Sequence, residues 1–246
     1  MAIERAQQYL EQIADYVQKC DGQLSFMEVC GTHTVSLFRS GVKSQLPEGL
    51  RLISGPGCPV CVTSQGYIDA ACELAARDDV NICTYGDMVR VPGGSASLES
   101  RRAEGAKITV VYSARDAVRL AAENPEQNHV FLAVGFETTA PATAAALLEA
   151  EKRGLDNFHV LMGHKLVIPA MQTLLSAGEV PIDGFLCPGH VSVIIGAKAY
   201  KPIVKQYQKP CVVAGFEPEQ MLAGIAALAK QAQAERPALG NVYKSV

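Results

Sequence analysis

Short β-rich apolar runs recur along this chain about every 25 to 30 residues, the length of a βα unit with short loops, and helical patterning fills many of the gaps between them. The runs are residues 24–29, 50–54, 80–84, 108–112, 130–134, 158–162, 184–186 and 211–214; helical spacing is clearest over 68–77, 114–123, 142–153 and 221–231. Regular alternation of this kind means parallel strands joined by helical crossovers. Eight units in 246 residues can close into one barrel or form two open sheets of about four strands each. The sequence reads best as an α/β fold of two Rossmann-like parallel-sheet domains, residues 1–126 and 127–246, divided at the polar stretch 124–128. Its site is expected in a cleft at the carboxyl ends of the strands.

Composition narrows the function. Apolar residues make up 48% and charged residues 19%, which suits an ordered globular protein. A net charge of −3 with no lysine- or arginine-rich run gives no footprint for nucleic acid. No uncharged apolar run approaches a membrane span, and residues 1–20 lack the basic and apolar blocks of a secretory signal. The expectation is a cytoplasmic protein whose eight cysteines stay reduced.

The unusual residues gather just past the expected strand ends, the edge where parallel α/β folds bind ligands. Cys30-Gly31-Thr32-His33 follows the first run and opens a helix, with Thr32 or Thr34 available as its cap. Gly55-Pro56-Gly57-Cys58-Pro59-Val60-Cys61 follows the second and leads into a helix read over 62–76, which places the thiols of Cys58 and Cys61 at a helix amino terminus that would lower their pKa. Cys30, Cys58 and Cys61 are soft ligands for a metal, and Cys58 with Cys61 can also cycle to a disulfide. His33 is a fourth ligand or a proton carrier. Glu137 in Gly135-Phe136-Glu137-Thr138-Thr139-Ala140-Pro141 is either a functional carboxylate or part of a helix cap, and His190 in Pro188-Gly189-His190 is a functional candidate by position. His164 follows similar loop logic, while His129 and His159 sit at strand starts and read as ordinary surface or packing residues. Cys20, Cys72, Cys83 and Cys211 read as small buried apolar groups. Three functions remain open on these residues: a metal-centred scaffold, a thiol–disulfide oxidoreductase using Cys58 and Cys61, and a zinc-stabilised interaction module.

Taken together, these stretches, with Tyr85-Gly86-Asp87-Met88-Val89-Arg90-Val91-Pro92-Gly93 and Gly215-Phe216-Glu217-Pro218, resemble the HypD family of hydrogenase maturation factors, in order along nearly the whole chain. The resemblance implies a scaffold that assembles the Fe(CN)2CO group of [NiFe] hydrogenase, with iron on Cys30, Cys58 and Cys61 and with His33, Glu137 and His190 as nearby functional residues. It implies as partners a small HypC-type chaperone, a HypE-type cyanide donor and, indirectly, the hydrogenase large subunit. Family members also carry a cysteine-rich carboxyl-terminal region that holds a [4Fe-4S] cluster; this chain has no cysteine after Cys211.

Overall fold

The structure, a computed structural model, describes residues 2–245. From the amino terminus the elements are α1 (Ala2–Gln18), β1 (Leu24–Glu28), α2 (Gly31–Arg39), β2 (Leu50–Ser54), α3 (Gln65–Ala75), β3 (Val80–Thr84), α4 (Leu98–Ala103) and β4 (Lys107–Val110). The chain continues through α5 (Ala114–Glu123), β5 (Asn128–Ala133), α6 (Ala140–Lys152), β6 (Phe158–Met162), α7 (Val167–Ala177) and β7 (Gly184–Pro188). It ends with α8 (Gly189–Ile195), α9 (Lys201–Tyr207), β8 (Cys211–Ala214), α10 (Pro218–Gln233) and β9 (Leu239–Asn241). The strands form two sheets, β2-β1-β7-β8-β9 and β4-β3-β5-β6, and all their ladders are parallel. This is the Rossmann-like α/β architecture that the βα rhythm dictates.

Strand periodicity explains why each sheet is covered on both faces. Leu24 and Phe26 of β1, Leu186 of β7 and Val212 and Ala214 of β8 face one core, whereas Met27, Phe185, Cys187, Cys211 and Val213 face the other. In the second sheet Ile82, Val130 and Leu132 face one core, and Cys83, Phe131 and Ala133 the other. Such strands read as continuous apolar runs, which is why the sequence locates them so well.

The chain divides otherwise than at residue 126. One compact unit is Met1–Cys58 with Leu166–Val246, and the second is Pro59–Lys165. The reason is strand order: β7 pairs directly with β1, so the first and last parts of the chain complete one sheet. The polar stretch expected as a boundary is instead tied into the second unit. Asn128 N–H donates to Asp79 O at 2.8 Å, and the Asn157 side-chain nitrogen lies 2.9, 3.0 and 2.9 Å from the carbonyl oxygens of Ala121, Asn124 and Gln127. Three further details differ from expectation: α3 starts at Gln65 rather than 62, β4 ends at Val110, and the short β9 carries no strand signal around Gly240. No helix among the described residues is long and apolar enough to cross a membrane.

Candidate functional site

In the first unit the strand order reverses between β1 and β7, because β1 leads leftward to β2 while β7 leads rightward to β8. Loops that leave the carboxyl ends of the strands at such a reversal part to either side and leave a binding crevice. Four neighbouring strands deliver the singled-out residues to that edge: β2 the loop to Cys58, β1 Cys30, β7 His190, and β8 Gly215 with Phe216.

The Cys30 and Cys58 loops meet backbone to backbone. A Cβ on Gly57 would lie 2.2 Å from Gly31 N and 2.6 Å from both C and Cα of Cys30, so only glycine permits the approach. Gly55 is similarly pressed: its N–H donates to Glu28 O at 2.9 Å, and a Cβ there would meet Met27 at 2.8 Å. Gly57→Ala is therefore expected to cost about 2 kcal/mol by overpacking and to displace the Cys58 loop. Thermal melts and the rate of Cys58 alkylation check this; an unchanged melt and rate would show that the loop gives way freely.

Cys30 itself caps α2, in place of the threonines expected to do so. Its backbone is extended, and Thr32 N–H donates to Cys30 Sγ at 3.3 Å. Burial, the largest single influence, pushes the thiol up, but hydrogen bonds from the His190 imidazole and Thr32 outweigh it and hold Cys30 below its ordinary value. Thr34, the other expected cap, turns its hydroxyl to Glu28 Oε1 at 3.1 Å.

His33 is fully buried in α2 and contacts Gly215 through Nε2, 3.0 Å from the carbonyl oxygen. A carbonyl only accepts, so Nε2 carries the hydrogen. Burial holds the pKa of the ring down at about 4, so the ring is neutral and Nδ1, which has no hydrogen-bond partner, is a bare lone pair. Phe216 stacks against both imidazoles, 4.7 Å from His33 and 5.0 Å from His190 between ring centroids. The result is a thiol with two imidazoles braced on one phenyl ring.

The remaining expected residues belong to the second unit. Cys61 is exposed in the turn before α3, and Glu137 is buried in the loop after β5, the strand at which this sheet also reverses its order. Beside Glu137, Thr139 Oγ1 donates to Phe136 O at 3.0 Å, and Pro141 enters the first turn of α6, so the capping features read in this loop are present, although Thr139 makes no side-chain cap bond. Cys58 is half-buried, and no disulfide joins cysteines of the described residues. Because α3 is capped by Ser64, Cys61 stands outside the first turn, where the helix dipole acts, and the dipole argument for activating Cys58 and Cys61 lapses. His164 sits beside Met162, with Nδ1 3.1 Å from Sδ, and His129 is buried against Asn81 at 3.2 Å. Cys72, Cys83 and Cys211 are buried as expected, and so is Cys187. Among the described residues, no group of three or more His, Cys, Asp or Glu side chains is assembled to hold a metal ion.

Two residues escaped the sequence reading. Phe216 was legible only as part of the Gly215-Phe216-Glu217-Pro218 stretch. Glu28 is 1% exposed, and its Oε1 accepts from Ser54 Oγ at 3.0 Å and from Thr34; burial pushes its pKa up against those bonds, and Oε2 has no partner. Its signal was a lone acid inside the otherwise apolar end of the first strand.

Two parallel sheets, one of them with a thiol–imidazole cluster at its strand-order reversal, define a two-unit α/β protein. The chain belongs to the HypD family: the HypD profile, described as the hydrogenase formation hypA family, matches residues 4–246. It is 42% identical over 250 residues to the hydrogenase maturation factor HypD of Escherichia coli (strain K12), covering 98% of this chain and 67% of that protein. It is 46% identical to the HypD of Azotobacter vinelandii, covering 90% of this chain and 60% of the relative. The match to the HypD of Cupriavidus necator is also 46%, over 89% and 60%. The chain thus spans about two thirds or less of the length of these relatives. A sugar ABC transporter structure from Yersinia enterocolitica matches with TM-score 0.21 at 11% identity, over 93% of this chain and 83% of that one, too slight a likeness to carry argument.

Proposed function

We propose that this chain serves hydrogenase maturation as a cytoplasmic scaffold on which the Fe(CN)2CO group is assembled, the iron being cargo held by cysteine thiolate. The observation that supports this most is Cys30: a thiol held below its ordinary value by His190 and Thr32, with the Cys58 loop pressed against its backbone, in a HypD-family chain. The donor chemistry fits the cargo. Thiolates and a bare imidazole nitrogen suit low-spin iron with cyanide and carbonyl ligands. In this reading Cys30, with Cys58 and Cys61 as the further thiols, would hold the iron together with groups that a partner brings; among the described residues no set of three donors is assembled. A small HypC-type chaperone and a HypE-type cyanide donor are the partners this reading calls for, with the hydrogenase large subunit receiving the product.

The exposure of Cys61 favours a second role within the same reading. Oxidation of Cys58 and Cys61 to a disulfide releases two electrons and two protons, which the assembly can consume. The family's [4Fe-4S] cluster enters no step proposed for this chain.

Metal analysis and infrared spectroscopy of anaerobically purified protein test the proposal. Iron with cyanide and carbonyl stretching bands is the expected result. Stoichiometric zinc would replace it with a structural module, and absence of metal with a reversible Cys58–Cys61 disulfide would replace it with a plain thiol oxidoreductase.

A further inference from the structure

We propose that Glu28 is the positioning residue of the Cys30–Cys58 thiol pair: its buried carboxyl ties the turn that carries Cys30 to the end of β2, from which the Cys58 loop departs. The inference rests on the reading that Cys30 and Cys58 act on one cargo.

The ties are local and specific. Glu28 and Ser54 are register partners at the carboxyl ends of β1 and β2, the last pair before both loops begin. One carboxyl oxygen, Oε1, accepts from both hydroxyls, Ser54 at 3.0 Å on the β2 side and Thr34 at 3.1 Å on α2. Thr34 lies one residue beyond His33 in the first turn that Cys30 caps. Glu28 O meanwhile accepts from Gly55 N–H at 2.9 Å, so side chain and backbone of one residue grip both loops. Gly57, two residues beyond Gly55 on the same loop, makes the close approach to Cys30.

A carboxyl in a strand buried at all five positions has to be explained, because an apolar side chain there would pack at no polar cost. Hydrogen bonds to Oε1 account for one oxygen only. The arrangement makes sense if what matters is a single acceptor reached by two donors from two different elements, since two separate acceptors would not couple the elements. A glutamine keeps that acceptor, whereas leucine removes it at similar volume.

Dibromobimane bridging of Cys30 to Cys58, with the bridged peptides identified by mass spectrometry, tests the tie. It is carried out on the reduced full-length protein in a Cys61→Ser background. Bridging is expected to proceed in the parent and in Glu28→Gln, and to slow by about tenfold in Glu28→Leu, the scale on which a small misplacement of reacting groups acts. Buried Cys187, in the same unit as Glu28, serves as an internal monitor and should stay unreactive in each protein. Parent-like bridging in Glu28→Leu, no bridging in the parent, or a glutamine protein as slow as the leucine one would each overturn the proposal. If Cys187 becomes reactive in Glu28→Leu, Thr34→Val and Ser54→Ala decide: slower bridging in each supports the tie, and unchanged bridging in both overturns it. Should bridging depend on Glu28 while hydrogenase maturation proves indifferent to loss of Cys30 or Cys58, the positioning role stands and the cargo reading falls.

Discussion

Cys30→Ser and Cys58→Ala proteins are expected to keep their fold and to mature no hydrogenase, while Cys72→Ala loses about 1 kcal/mol of stability and matures it normally. The contrast follows from position. Cys30 lies at a strand-order reversal with His190 against its sulfur, and Cys58 lies on the loop that only glycine at 57 lets approach. Cys72 fills space inside α3 and is 3% exposed. Serine is the sharper substitution at 30 because it preserves the N-cap bond from Thr32 while removing the soft thiolate; alanine would confound loss of a ligand with a cap loss of about 1 kcal/mol. Complementation of a maturation-deficient strain by the full-length protein, with melts on the purified variants, is the measurement. Normal maturation by Cys30→Ser would sink the ligand assignment, and a dead Cys72→Ala protein of native stability would show that the thiols have been misassigned.

The sequence exposed the parts of this fold that depend on local pattern. Strands 80–84 and 211–214 fall where the apolar runs place them, because a strand buried at every position must be largely apolar, and the partly exposed strands 50–54 and 158–162 fall there too. The positions of Cys30, Cys58 and His190 at strand carboxyl ends follow from the same reading. What stayed hidden depends on strand order, which no local pattern encodes. Nothing in Gly184-Phe185-Leu186 says that it pairs with β1 rather than with a later strand, yet that pairing joins the ends of the chain into one unit and brings His190 to Cys30. Side-chain direction was equally hidden. The sequence offered Thr34 as a cap, and the structure uses it as a strut to Glu28, because Cys30 reaches Thr32 N–H first. The start of α3 was hidden for a related reason: Cys58–Thr63 satisfies itself with a turn, including Thr63 Oγ1 to Pro59 O at 2.9 Å, before the helix begins.

His33 carries the largest acid sensitivity expected in the first unit. Its ring is held neutral, with a pKa of about 4 against 6.5 for an ordinary histidine, because burial strips water from the charged form more than the Gly215 and Ala214 carbonyls can compensate. Above pH 6.5 the ring is neutral in both folded and unfolded chains and contributes nothing to the pH dependence. Between 6.5 and 4 the unfolded ring takes up a proton that the folded one refuses, so stability falls with pH, by about 3 kcal/mol in all, and the loss levels off below 4. Glu28 works in the opposite sense, since a carboxyl raised by burial favours the folded state as pH falls, and His129, depressed by burial, acts in the second unit in the same sense as His33. Comparing the parent with His33→Gln cancels both contributions, and glutamine retains an N–H for the Gly215 carbonyl. Urea melts at intervals from pH 7.5 to pH 4 should show the parent losing about 3 kcal/mol more than the variant across that window. Parallel curves would mean that His33 is protonated in the folded protein, and the bare Nδ1 assigned to it, together with its suitability for a soft metal, would fall with them.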